Sequence, residues 1–364
     1  MDGTAVQENL KPMELEAAKS LIFGKSTSVT QESVIPFTEL ELELIHALQA
    51  NPRGSWTHIG SELGVDASTV SRRWRTLRSS ERAWILGYSI DMAPVVAYLW
   101  VGCAARMIDE VGARLCLENS VYLVERVDGK HDYFLGVTAA TVHALDRLIA
   151  RIAAFPGVAT VASHLCLRVV HDGSSWVPGI LNNKAPARIA EILERGGPPP
   201  RRVTRTEQAI LTALGSDGRA SFSRLAELSG LTESTVRRHL HELVDTNRVR
   251  LRCDISQRAA GWPMSMVIVI EIDRGAVEFA HIVSQWSATR LISVTSGPAR
   301  LTMLFWLRSA TDGYLLQERL QQQGQTVQIV EAAIGLRSLK RMGRLFDPNG
   351  AATGFVPLGL YSGW

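Results

Sequence analysis

Three bursts of apolar residues at helical spacing follow one another between residues 38 and 82. Leu40, Leu44, Ala47 and Leu48 make the first stripe, Trp56, Ile59 and Leu63 the second, and Val70, Trp74 and Leu77 the third. The punctuation fits three short helices. Thr38 with Glu41 is a capping box, Asn51-Pro52 stops the first helix, Gly64 supplies the left-handed residue of a tight helix-to-helix turn, and Asp66 stands at the cap of the third. The pattern then returns in register 166 residues later, where Val236, Leu240 and Leu243 repeat the third stripe, Gly230 the turn and Thr232 the cap.

After each helical triplet the period changes to that of strands. "AWILGYS" and "VRLRCDI" each read as part of a two-stranded wing. Beyond them, "VVAYLWVGC", "VYLVERV", "DYFLGV" and "ATVASHLCLRVV" alternate with helical patterns near 104–118 and 141–154, the latter carrying Val142, Leu145, Ile149 and Ile152 on one stripe. "MSMVIVIEI", "RLISVT", "LTMLFWL" and "VQIVEAAIGLRSL" do the same around helices near 275–287 and 311–323. The order β-α-β-β-α-β is the ferredoxin-like split unit. The fold class expected is α+β, with two winged helix-turn-helix domains alternating with two ferredoxin-like domains in tandem.

The expected boundaries are a flexible arm at 1–36, in which "ELEAAKSLIF" allows a short helix, helix-turn-helix units at 37–91 and 203–258, ferredoxin-like units at 92–172 and 259–345, a linker at 173–202 and an apolar tail at 346–364 that either tucks against a partner subunit or covers its own domain. "RGGPPPRRVTRT" keeps that linker extended, and its arginines are most simply solvated.

Composition narrows the class. The chain has 364 residues, 46% of them hydrophobic and 21% charged, which suits a globular protein of two to four domains. A net charge of +3 is too small for a polyanion-binding field over the whole molecule, so such a site must come from local arginine clusters. Cys103, Cys116, Cys166 and Cys253 show no metal-ligand spacing and read as reduced thiols of a cytoplasmic protein. No metal or cofactor is expected. The longest apolar run, from Pro94, is too short for a membrane span.

The third helix of each triplet carries the candidate chemistry. Opposite its apolar stripe lie Ser68, Thr69, Arg72 and Arg75 in one copy, and Ser234, Thr235, Arg238 and His241 in the other. Hydroxyls bond phosphates and guanidinium forks match guanine edges, so this face suits the DNA major groove. A solvated charged face is the simpler alternative, weakened by the double occurrence behind a glycine turn. Arg73 and Arg237 flank the face as phosphate contacts, with Arg82, Arg248, Arg250 and Arg252 of the wings in the same role.

The order "LELELIHALQAN…SWTHIGSELGVDASTVSRRWRTL…ILGYSID", followed by the β-α-β-β-α-β unit, resembles the Lrp/AsnC (feast/famine) family of bacterial transcription regulators, over residues 37–172 and again 203–341. The resemblance implies two regulator modules fused head to tail into an internal pseudo-dimer. It implies double-stranded promoter DNA as partner, an amino acid or related metabolite as effector, and further homo-oligomerisation. Its effector site implies the loop "VDGKHDYF", with Gly129 and Asp132, and more weakly "TSGPARLT", with Gly297; there Pro298 removes a donor and Arg300 replaces the acid. Both glycines also serve simply as hairpin turns.

Two other classes stay in view. Siroheme decarboxylases resemble the same family, and on that reading His131, His143, His164, His171 or Arg126 would face tetrapyrrole carboxylates, although none has diagnostic spacing. An interaction scaffold without DNA binding would have degenerate basic faces, which this chain lacks. The reading adopted is a DNA-binding regulator and not an enzyme.

Overall fold

Helix starts and stops follow the punctuation in the sequence. The computed structural model describes residues 12–24, 35–89, 95–173, 204–246, 248–297, 300–323 and 327–359. After α1 (Pro12–Phe23) come α2 (Glu39–Ala50), α3 (Trp56–Leu63) and α4 (Ala67–Ser79). Thr38 and Glu41 close a capping box on α2, and Gly64 ends α3 at φ 66°. Asp66 occupies the cap of α4 but makes no side-chain cap bond. In the second copy α7 (Arg205–Ser216), α8 (Phe222–Ser229) and α9 (Glu233–Asp245) repeat the triplet. Gly230 takes φ 68°, Thr232 accepts from the Thr235 N–H, and Thr204 with Glu207 forms a second capping box that the sequence reading passed over.

The stripes of each triplet pack on one another, those of the first also on Cys253, Ile255, Trp262 and Trp306 of the second half. Leu44, Leu48, Ile59, Val70, Trp74 and Leu77 pack together in the first, and Ile210, Leu214, Leu225, Val236, Leu240 and Leu243 in the second. The wings differ from the expected pair of hairpins. A single strand follows each triplet, β1 (Ala83–Ser89) and β6 (Val249–Ile255), and these pair antiparallel with each other from Ala83 opposite Ile255 to Ser89 opposite Val249. One shared ribbon satisfies both strands, so neither copy needs a hairpin of its own.

In the first ferredoxin-like unit, β2 (Val95–Cys103), β3 (Val121–Val127), β4 (Tyr133–Ala139) and β5 (Val158–His171) order as β3-β4-β2-β5, backed by α5 (Ile108–Leu117) and α6 (Val142–Ala153). In the second, β7 (Met264–Ile272), β8 (Thr289–Thr295), β9 (Arg300–Leu307) and β10 (Val327–Arg341) order as β8-β9-β7-β10, with α10 (Ala276–Ser284) and α11 (Ala310–Gln321). The last strand of each unit is long and changes partner midway. β5 leaves β2 for β8, and β10 leaves β7 for β3, so eight strands close into a ring. Tyr98, Trp100, Leu123 and Phe134 of one sheet meet Val267, Val269, Leu304 and Ala333 of the other inside it. On α6, Leu145, Leu148 and Ile152 face the core, whereas Val142 is 62% exposed because it stands at the first helical residue, before the packed face begins.

Both chain ends pack on the domains. Within the segment read as a flexible arm, α1 buries Leu15, Ala18 and Ile22 in the first unit's core, and Arg337 donates to the Ile22 carbonyl. Its apolar positions at i, i+3 and i+7 are a packing stripe. The tail adds β11 (Arg344–Phe346) and β12 (Ala352–Phe355) beside β10 and buries Leu358. The linker sequence 174–202 and its arginines lie outside the described residues. Among the described residues no helix is long and apolar enough to cross a membrane.

Candidate nucleic-acid interface and regulatory loops

The third helices α4 and α9 sit with their stripes inward and their basic faces outward. Val70, Trp74 and Leu77 are buried, while Ser68, Arg72, Arg73 and Arg75 are exposed and Thr69 is half-buried. In the second copy Ser234, Arg237, Arg238 and His241 are exposed, with Thr235 half-buried. Among the described residues, no carboxylate forms an ion pair with Arg72, Arg73, Arg75 or Arg238. Arg238 lies 3.4 Å from the neighbouring His239 ring nitrogen. Ser234 and Thr235 share their hydroxyls with Thr232 at the helix start, at 3.2 and 2.7 Å.

The two copies are not equivalent. Arg237 bonds Glu233 one turn earlier at 2.9 Å and lies 4.2 Å from the centroid of the Phe222 ring, so a phosphate contact must displace or share that pair. His241 stands edge-on to the same ring at 6.1 Å. Arg73, the equivalent of His239, has no such ion pair among the described residues.

The wing arginines correct the sequence reading. Arg82 and Arg248, expected at phosphates, turn inward and bond Glu41 at 2.9 Å and Glu207 at 2.8 Å, the acids of the two capping boxes. Burial alone would raise these carboxyls, but the arginines and the threonine caps hold both below the usual range. Arg250 faces Asp172 at 3.7 Å, and Arg252 bonds Asp254, which Arg290 and Arg341 also surround. Burial opposes the Asp254 charge, yet these three arginines keep its carboxyl well below the ordinary range. Sequence could not separate these arginines from the exposed ones, because all lie in equally basic stretches and only the tertiary contacts turn them inward.

The loops implied as effector sites lie at the junction of the two halves. Gly129 takes φ 84° in the β3–β4 turn, where the Asp128 N–H donates to the Ile334 carbonyl at 3.0 Å and the Asp128 carboxylate accepts from the Ile334 N–H at 2.6 Å. Asp132 accepts from the Cys103 N–H at 2.8 Å and lies 3.8 Å from Arg126. His131 is buried between Trp100 and Glu331, with a 2.8 Å bond to the latter. In the second half Gly297 takes φ 114°, and its neighbour Ser296 bonds Leu165 of β5 through both backbone and hydroxyl. Each turn therefore grips the other half's last strand.

The remaining histidine candidates are dispersed. His143 is exposed on α6, and His164 lies opposite Tyr98 on β5. His171 ends that strand, where burial holds its pKa down at about 4.

One pair escaped the sequence reading. Arg53, in the α2–α3 turn, donates to the Gly218 and Ala220 carbonyls at 2.7 and 3.0 Å. Arg219, 166 residues on in the α7–α8 turn, donates to the Pro52 and Gly54 carbonyls at 2.9 and 2.8 Å. Recurrence of arginine at the repeat offset, in turns that otherwise differ, was the available signal.

Residues 37–78 match the AsnC-type helix-turn-helix domain, residues 96–176 the Lrp/AsnC ligand binding domain, and residues 203–250 a winged helix-turn-helix DNA-binding model. Comparison with curated proteins gives no match. Among solved structures, the siroheme decarboxylase NirDL in complex with an iron-uroporphyrin III analogue aligns over 82% of this chain and 92% of its own, with 12% identity and a TM-score of 0.57. A second structure of that enzyme gives 84%, 93%, 10% and 0.54. E. coli AsnC aligns over 36% of this chain and 93% of its own, with 18% identity and a TM-score of 0.33.

Proposed function

Because the chain belongs to the Lrp/AsnC family, as fused repeats of its modules, we propose that it is a transcriptional regulator whose two recognition helices read neighbouring major-groove segments of promoter DNA. The observation that carries this reading is the pair of exposed faces on α4 and α9, where Arg72, Arg75 and Arg238 point away from the core without a carboxylate partner among the described residues. An arginine held in that state has paid no partner's desolvation and is ready for phosphate or a guanine edge. Since Trp74 and Arg75 of one copy correspond to Leu240 and His241 of the other, the operator is asymmetric.

The test is to change Arg72 and Arg238 separately to alanine and titrate operator DNA over a range of salt. Each change is expected to cost about 1–3 kcal/mol for a base contact, or to lower the salt slope by about one for a phosphate contact. Unchanged affinity and slope for both variants would remove the two helices from the interface.

We further propose that an amino acid or related metabolite acts at the β3–β4 turn around Gly129 and Asp132, with Gly297 marking the corresponding turn. Support comes from position: the turn is anchored on β10 of the other half, so a ligand favouring one arrangement of the halves would be coupled to the helical units through the β1–β6 ribbon. Calorimetric titration with a panel of amino acids checks this, and heat that is identical for wild type and Asp132→Asn places the site elsewhere.

The fold shared with a siroheme decarboxylase over most of the chain supports a second reading, a tetrapyrrole-processing enzyme. On it the candidates flanking the β3–β4 turn are His131 and Arg126, yet both are occupied, His131 by Glu331 and Arg126 by Asp132 and Asp109. An intense visible absorbance band on adding an iron porphyrin carboxylate, with loss of carbon dioxide on incubation, would favour the enzyme; a salt-steep DNA shift favours the regulator.

A further inference from the structure

The Arg53 and Arg219 contacts form a reciprocal clamp. Each guanidinium leaves its own turn, forks over two carbonyls of the other copy's equivalent turn, and stacks on that copy's first α3- or α8-type aromatic. Arg219 lies 3.7 Å from the Trp56 ring centroid and Arg53 5.4 Å from that of Phe222. The two arginines, their four carbonyl acceptors and the two aromatics all correspond at the 166-residue offset. Gly54, Gly218 and Ala220 are buried beneath the crossing. Arg78, at the end of α4, adds a one-sided tie to Asp217 at 2.6 Å.

We propose that Arg53 and Arg219 are positioning residues that hold the two helix-turn-helix units at one fixed separation, and so set the half-site spacing the protein accepts on DNA. The second half of this statement rests on the regulator reading; the first does not. A fork of two donors fixes both distance and rotation, which a single ionic contact does not. The turns joined by the clamp directly precede α3 and α8, the helices that seat α4 and α9, so the clamp acts on the recognition helices through one packed contact. Asp217 supplies the counter-charge that two adjacent guanidiniums require. Burial, then the neighbouring Arg53, pushes Arg219 down to about 10, with Asp217 opposing. The β1–β6 ribbon joins the same two units, with β1 packed on α7 and β6 on α2.

The lock is tested without DNA by pulsed dipolar spectroscopy between nitroxides at Ser79→Cys and Asp245→Cys, exposed equivalents at the ends of α4 and α9. Burial pushes the Cys103 and Cys116 thiols up to about 12 and raises Cys166 and Cys253 as well, so the native thiols stay protonated and slow to label at neutral pH. The parent is expected to give one narrow distance distribution, and R53A/R219A a broad one with unchanged circular dichroism. R53K/R219K, which keeps both charges and stems but not the forks, is expected to broaden likewise and serves if the alanine variant does not fold. A narrow, parent-like distribution in the lysine variant overturns the lock.

The spacing role is then read by selecting bound duplexes from a random-sequence library. The parent should enrich paired half-sites at one spacing, and the double variant the same half-sites at several. Inserting about half a helical turn between half-sites should weaken the parent by about 100-fold, through loss of two-headed binding, and the variant by about tenfold or less. Equal spacing preference in both proteins overturns the specificity role. Parent protein that enriches no duplex overturns the regulator reading, and the spectroscopy still decides the lock.

Discussion

Glu207 shows how a single residue can serve two purposes. It completes the capping box with Thr204 and pairs with buried Arg248, as Glu41 does with Thr38 and Arg82 in the other copy. Removing one member of a buried pair leaves the other desolvated, so Glu207→Gln is expected to cost roughly 3–5 kcal/mol of stability at neutral pH. Urea unfolding at pH 7 checks it, and a change under about 1 kcal/mol would show that Arg248 is satisfied without the carboxylate. Acid sensitivity should have two stages. His171 has a folded pKa held by burial at about 4 against an ordinary 6.5, so its contribution is complete above 6.5 and is lost as the unfolded chain takes up a proton between those values. Glu41 and Glu207 lie below their ordinary 4.5, so their contribution is present above that value and is lost as pH falls through their lower folded pKa. His171→Gln should remove the first stage from an unfolding-midpoint series and leave the second; a series unaltered above pH 5 would assign that loss to another group.

Among elements, the informative ones are the two strands that change partners. Gly335 is the residue at which β10 passes from Ser265 of β7 to Val127 of β3. A side chain there would begin 1.8 Å from the Ser265 hydroxyl and 3.3 Å from Glu125, whose carboxyl burial has already raised and whose oxygen accepts from that hydroxyl. Gly335→Ala is therefore expected to lose about 1–3 kcal/mol by overpacking. Combining it with Ser265→Ala should recover part of the loss, and strict additivity in thermal unfolding would show that the two side chains do not collide. The strands themselves were legible as alternating or continuous apolar runs, α6 from its stripe, and α5, α10 and α11 as helical patterns between strands. Their exchange of partners was not, since pairing across halves depends on where each sheet lies in space and leaves no local periodicity.

For the whole molecule, fusion makes the ring of eight strands an intramolecular structure. Its interior holds Tyr98, Trp100 and Phe134 against Val267, Val269 and Leu304, so neither half is complete alone. Residues 1–173 expressed separately should expose these aromatics and self-associate or aggregate, whereas the full chain should unfold at a midpoint that does not move over a hundredfold change in concentration unless it assembles further. Sedimentation of the first half as a stable, folded monomer would contradict this account. The clamp belongs to the same scale, because each arginine is a surface residue of its own triplet and becomes a contact only when the two triplets face each other.

The sequence by itself determined the repeat, the helix caps, the left-handed glycines at 64 and 230, the order of strands and helices, and which face of α4 and α9 is apolar, because all of these are encoded within a few residues of chain. Only the tertiary structure decided that β1 pairs with β6, that α1 and the tail pack on the first half, and that Arg82, Arg248 and Arg252 turn inward while Arg72 and Arg238 remain outside. An arginine has the same charge in either setting; what separates them is whether folding brings a carboxylate from more than forty residues away within bonding distance, as for Arg82 and Arg248, or buries the side chain beside one two residues along its own strand, as for Arg252.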